Sequence, residues 1–122
     1  MKIAITSTGE TLDSQVDPRF GRAQCFIIVE TETMDHSVVE NASIAAAGGA
    51  GISSAKAVAD TGVEAVLTGN CGPNAQRTLD AAGITLYTEV TGTVADAVAL
   101  FKNGKLSAAD GPNVQSHFGM DK

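Results

Sequence analysis

The sequence has no tryptophan, a single tyrosine and four phenylalanines, and only two cysteines and three prolines among its 122 residues. With so few rings, a core has to be filled by Val, Ile, Leu and many alanines, and small side chains let helices pack closely on a sheet. Cys25 and Cys71 are far apart and make no C-x-x-C pair, which argues against a disulfide framework and against a structural zinc site. His36 and His117 add no regular metal spacing. Positive charge is scarce as well: eight Lys and Arg face 14 Asp and Glu, for a net charge of −6. Coating nucleic acid draws on dense Lys and Arg, so that class is set aside. No apolar run approaches a membrane span, and no charged segment followed by an apolar one opens the chain. The expectation is a cytoplasmic protein without a membrane partner.

What is present suits one globular domain with a single core: 43% of residues are hydrophobic and 18% charged. Residues 2–6 read as a short buried strand, and a long polar segment, 7–20, follows it. Loops of that length are commonly functional. Residues 25–29 and 37–40 read as two strands of a hairpin, with Met34 and His36 on the surface of its turn. A small-residue loop, 45–51, then opens a helix over about 52–60, whose apolar face is Ile52, Ala55, Val58 and Ala59 and whose end is Gly62. Residues 63–68 make a fourth strand. Pro73 starts a second helix with a buried stripe of Ala75, Leu79 and Ala82, stopped by Gly83. Residues 84–87 make a fifth strand, and Thr93 with Asp96 caps a third helix running to Lys102. Strand–helix alternation in the second half requires right-handed crossovers and parallel strands, while the hairpin adds antiparallel ones. The expected fold is a three-layer α/β domain over residues 1–106, with a mixed five-stranded sheet flanked by helices. Residues 107–122, including His117, lose periodicity and read as a flexible tail.

In open α/β sheets ligands bind outside the carboxyl ends of the strands. Parallel strands would deliver to one edge the loop beginning Ser7-Thr8-Gly9 and the corner Asn70-Cys71-Gly72-Pro73-Asn74, and the glycine-rich Gly48-Gly49-Ala50-Gly51 joins them if the edge strand before it also ends nearby. Two helix starts would then offer free N–H groups and partial positive charge to one cavity, and glycines would let the backbone approach a ligand closely. Such a place favours an anion. Arg19, Arg22, Lys56 and Arg77 are candidates to make it locally basic.

Each feature also has a plainer explanation. Glycine-rich helix starts are often turn chemistry alone, and Arg19 and Arg22 are also explained as surface residues paired with Asp13 or Asp17. Cys71 fits a small loop position as a near-serine; alternatively the helix start lowers its thiol pKa and makes it a ligand or nucleophile. Cys25, opening an apolar strand, reads as core. A two-metal nuclease needs carboxylates on the first strand, where this chain has Ile3-Ala4-Ile5. The patterns G-x-x-x-x-G-K-[ST] and G-x-G-x-x-G are both missing, and no Ser–His–Asp set is evident. An enzyme is therefore not expected.

The motifs "DPRFGRA" at 17–23, "GGAGI" at 48–52 and "TGNCGPNA" at 68–75 followed by "LDAAGI" at 79–84, in this order, resemble the dinitrogenase iron–molybdenum cofactor biosynthesis family over roughly residues 1–106. The length, the acidic character and "TSTG" at 6–9 are most similar to a subgroup of small stand-alone members from sulfate-reducing bacteria. The resemblance implies a ribonuclease-H-like fold used for binding. It also implies a noncovalently carried metal–sulfur cluster, either a molybdenum–copper sulfide or one related to the iron–molybdenum cofactor. Carried onto this chain, the cofactor-binding positions are Arg19, Phe20, Gly21, Arg22, Gly48, Gly49, Gly51, Asn70, Cys71, Gly72, Pro73 and Asn74. Phe20, Ile52 and Pro73 would offer apolar contacts, and Cys71 is left open as a metal ligand. Implied partners are proteins that deliver or receive the cluster, or that act in cell division or redox regulation. The alternative is a regulatory protein–protein interaction domain with no obligatory cluster.

Overall fold

The computed structural model describes residues 1–41 and 50–109. Five strands, β1 (Lys2–Ser7), β2 (Cys25–Glu30), β3 (His36–Glu40), β4 (Ala65–Leu67) and β5 (Thr85–Tyr87), form one sheet in the order β3-β2-β1-β4-β5. β2 lies antiparallel to both β1 and β3, whereas β1–β4 and β4–β5 are parallel. Helices α1 (Ala50–Ala59), α2 (Pro73–Ala81) and α3 (Val94–Lys102) complete the layers.

Alternation along the strands decides which helix packs where. Ala4, Phe26, Ile28 and Val66 face one side and bury Ala55 and Val58 of α1 with Ala75 and Leu79 of α2. Ile3, Ile5, Ile27, Val29 and Leu67 face the other side and cover Val94, Ala97 and Val98 of α3. The three-layer arrangement and the mixed sheet are those expected from the sequence.

Several local expectations change. α1 starts at Ala50, so Gly51 is helical rather than part of the loop before the helix, and Gly48 and Gly49 lie outside the described residues. Ala82 is exposed at the end of α2, and Gln76 takes its expected place in the buried stripe. Met34 is half-buried against the α3-side core, and His36 begins β3 rather than sitting in a turn. Gly62 and Gly83 do end their helices with φ of +80° and +77°, a region that costs glycine nothing. Beyond residue 107, Ala108 bridges to Tyr87, and the Ala109 amide donates to Leu86 O at 2.8 Å, continuing the sheet edge. His117 lies outside the described residues.

The long connection after β1 is ordered by what it crosses. Val16 N donates to Gly92 O at 2.9 Å, and Val94 and Ala95 at the start of α3 donate to Ser14 O and Leu12 O. Its second half runs over the sheet edge at which β1 and β4 end.

Candidate anion-binding hollow

That second half is fixed by a buried carboxylate. Asp17 is 1% exposed, and its Oδ1 accepts from the Arg19 amide at 3.0 Å while its Oδ2 accepts from the Gln24 amide at 3.4 Å. The Asp17 carbonyl in turn accepts from Thr6 Oγ1 at 2.8 Å. A carboxylate that receives backbone N–H groups satisfies donors a loop would otherwise leave unpaired. This is the local reason for Asp17 at the head of "DPRFGRA".

The loop then crosses the corner after β4. Arg19 and Asn70 form an isolated parallel bridge. The Phe20 amide donates to Asn70 O at 3.1 Å, and the Asn70 amide donates to Pro18 O at 2.7 Å. The backbones approach so closely that a Cβ on Gly69 would lie 2.6 Å from Pro18 Cα and 2.8 Å from its carbonyl oxygen. Gly69 is therefore required by the crossing of two chain segments.

Beyond the crossing, three segments enclose a hollow of about 240 Å³: Phe20 and Gly21 from the first loop, Gly51 and Ile52 from the start of α1, and Gly72, Pro73, Asn74 and Ala75 from the start of α2. Gly51 has a role of its own, since a Cβ there would stand 3.3 Å from Ala75 Cβ; the bare backbone lets the two helix starts come together. At Gly72 an added Cβ would meet nothing within 4 Å. Gly72 is the N-cap of α2 in extended conformation, with no side chain capping the helix and Pro73 following it. Among the described residues no acceptor takes the N–H groups of Asn74 and Ala75. Neither α1 nor α2 has an acidic residue in its first turn. The N-terminal partial charges of both helices are thus left without a side-chain carboxylate from that turn.

Of the expected site residues, Phe20, Gly21, Gly51, Gly72, Pro73 and Asn74 line this hollow, with Ile52 beside them. Arg19, Arg22, Asn70 and Cys71 stand around it without lining it. The Arg19 side chain is 62% exposed, with its Nε 3.5 Å from Asp17 Oδ1, the pairing that the plainer explanation named. Arg22 is half-buried, next to Gly21. Arg77 donates to Asn74 Oδ1 and so holds a guanidinium beside a lining residue. Lys56 is exposed in the last turn of α1, away from the helix start.

Cys71 lies behind the wall. It belongs to the core cluster with Phe20, Ala75 and Leu79, and burial pushes its thiol up to about 12, with the charge of Asp80 adding to the effect. That direction is opposite to the activation expected of a thiol at a helix start, because burial disfavours the charged thiolate. Burial likewise raises Cys25, whose Sγ donates to Gly9 O at 3.0 Å. Cys25 borders a second hollow of about 320 Å³, where Glu10 and Glu40 make the lining hostile to an anion. Among the described residues no group of three or more His, Cys, Asp and Glu side chains gathers as a metal-ion site. No helix among them is long and apolar enough to cross a membrane.

Two residues bracing this site, Asn41 and Ser54, were not expected from the sequence. Asn41 Nδ2 donates to Gly21 O at 3.1 Å and to Ala23 O at 2.9 Å, and Ser54 Oγ donates to Asn41 Oδ1 at 3.1 Å. The available signal was a hydroxyl at residue 54 between Ile52 and Ala55, on the apolar face of a helix.

Residues 1–104 match the dinitrogenase iron–molybdenum cofactor family. An uncharacterized protein of Methanocaldococcus jannaschii is 33% identical over 109 residues, which is 87% of this chain and 89% of that protein. Among solved structures, the apo form of the orange protein from Desulfovibrio gigas is 44% identical and superposes with a TM-score of 0.90, covering 92% of this chain and 95% of its own. A candidate NifB protein from Thermotoga, of the DUF35 family, is 42% identical with a TM-score of 0.77, over 88% of this chain and 91% of its own. With residues 1–104 of its 122 matched, the chain belongs to the dinitrogenase iron–molybdenum cofactor family.

Proposed function

We propose that the protein is a cytoplasmic carrier that binds an anionic metal–sulfur cluster noncovalently in the hollow between α1, α2 and the Phe20–Gly21 wall. The observation that carries this reading is the convergence of two helix starts, neither with an acidic first turn, on one concave surface. Backbone N–H groups there stabilise negative charge without needing side-chain ligands. The space favours a compact guest, being smaller than the roughly 300–1,000 Å³ usual for organic ligands. Phe20, Ile52 and Pro73 supply apolar surface suited to polarisable sulfide. A protonated, buried Cys71 fits a guest held by hydrogen bonds better than one held by a thiolate.

The cluster proposed is a molybdenum–copper sulfide, the guest implied by the likeness to small stand-alone members of the family. Binding and protection of the cluster are the whole activity, and no bond in the guest has to be broken by the protein. The test is to add tetrathiomolybdate and copper(I) to the metal-free protein and separate it by gel filtration. Charge-transfer absorption co-eluting with protein is expected. Bands that elute only with small molecules would reject the carrier and favour a domain whose role is to bind a partner protein.

A further inference from the structure

The wall of the hollow formed by Phe20 and Gly21 has two sides. On one side is the proposed guest; on the other is Asn41, which lines the separate hollow beside Cys25 rather than this one. An anion site built from backbone must turn N–H groups toward the guest and keep carbonyl oxygens from it, because a carbonyl dipole presented oxygen-first repels negative charge. The wall carries two such carbonyls from the loop: that of Phe20, which accepts from the Ala23 amide at 3.5 Å, and that of Gly21.

We infer that Asn41 and Ser54 are positioning residues that make the hollow selective for anions, by engaging the Gly21 and Ala23 carbonyls on the far side of the wall. This inference rests on the anion-binding reading above. Asn41 is 4% exposed and Ser54 fully buried, so their hydrogen bonds form away from competing water. Asn41 Nδ2 reaches Gly21 O at 3.1 Å and Ala23 O at 2.9 Å, one amide group drawing two carbonyls to the same side. Ser54 Oγ lies 3.1 Å from Asn41 Oδ1 and 3.4 Å from Gly21 O, so its proton is shared between the amide and the same wall carbonyl. The hydroxyl thereby fixes which end of the Asn41 amide faces the loop. It also ties the loop to α1, whose start is another wall of the hollow. The loop is also held to Asn70, by two backbone bonds and by Asn70 Nδ2 donating to Pro18 O at 3.1 Å.

The decisive variant is Asn41→Asp, nearly equal in shape, which replaces the donor with an oxygen facing two carbonyls. Ser54→Ala removes the hydroxyl and Ser54→Thr keeps it. Each is loaded with tetrathiomolybdate and copper(I), and loss of the cluster is timed well below the melting temperature, where circular dichroism shows the variant folded. Cluster loss on the order of tenfold faster is expected for N41D, a smaller effect for S54A, and near-native retention for S54T. Carbonyl ¹³C shifts of Gly21 and Ala23 in the metal-free N41D protein should move, reporting the lost bonds independently of any guest. A purely structural role would lower the melting temperature and leave retention by the folded protein unchanged; that result overturns the inference alone. Should N41D not fold, S54A losing the cluster faster than S54T supports the inference, and equal rates overturn it. Absence of uptake by the wild type overturns both this inference and the reading beneath it.

Discussion

Gly69 and Cys71, two residues apart, are both explained by proximity, but of different kinds. Gly69 sits where two backbones cross, and a methyl group there would collide with main-chain atoms of Pro18 that cannot rotate away. Cys71 turns into the core, where its thiol is held protonated. A thiol raised in the folded protein contributes stability that is complete below its unfolded pKa, near 9, and is lost as the pH rises from there toward about 12. Two results are expected. Iodoacetamide should modify Cys71 slowly in the native protein at pH 8 and rapidly in urea. The stability difference between wild type and Cys71→Ala, from urea unfolding, should shrink as the pH is raised above 9. Fast native alkylation would instead show an accessible thiolate and reopen a nucleophilic role.

α2 and α3 begin differently, and the difference follows the hollow. α3, on the opposite face, has a complete capping box: Thr93 Oγ1 accepts from the Asp96 amide at 3.0 Å and Asp96 Oδ2 from the Thr93 amide at 3.3 Å. α2 has glycine at that position and a proline after it, so its first donors are left for something else. An N-cap carboxylate accepts from the second or third helical N–H, and glycine is poorer there by only a few tenths of a kcal/mol. Gly72→Asp should therefore raise stability by a few tenths of a kcal/mol while sharply weakening cluster uptake, since it puts a negative charge where the proposed guest would bind. Thr93→Ala should do the reverse, costing about 1 kcal/mol and leaving uptake intact. Urea midpoints and cluster titrations on the two variants check this together. Uptake undiminished in Gly72→Asp would mean that the start of α2 is not the binding surface.

At the scale of the whole molecule, the proposed anionic guest would have to approach a chain of net charge −6. Screening shortens the reach of that repulsion from tens of ångströms at low salt to about 10 Å at 0.1 M. Association of tetrathiomolybdate and copper(I) should therefore speed up with added salt, as stopped-flow absorbance would show. Arg19, already beside Asp17, is poorly placed to reverse this trend, and replacing both Arg19 and Arg22 with alanine should steepen it. An association rate that falls with salt would instead assign the steering to the basic residues around the hollow.

Periodicity alone was enough to locate the strands and helices, because burial on a sheet or along a helix leaves its mark at residues two or three to four apart. Gly62, Gly83, Pro73 and the Thr93–Asp96 pair marked helix ends through constraints that act within a few residues. The motifs of the glycine-rich corners carried the family. What the sequence could not convey were contacts between distant segments. Gly69 belonged to a glycine-rich corner in the sequence, and only the fold shows it as a crossing point with Pro18. Cys71 read as open to activation and proved buried, because the environment of a thiol depends on what folds over it. Asn41 and Ser54 bridge to Gly21 across 20 and 33 residues, and no local pattern records such a bond. The elements were written in neighbouring residues; the hollow, and the choice of which polar groups face it, arose only when the sheet brought remote loops to one edge.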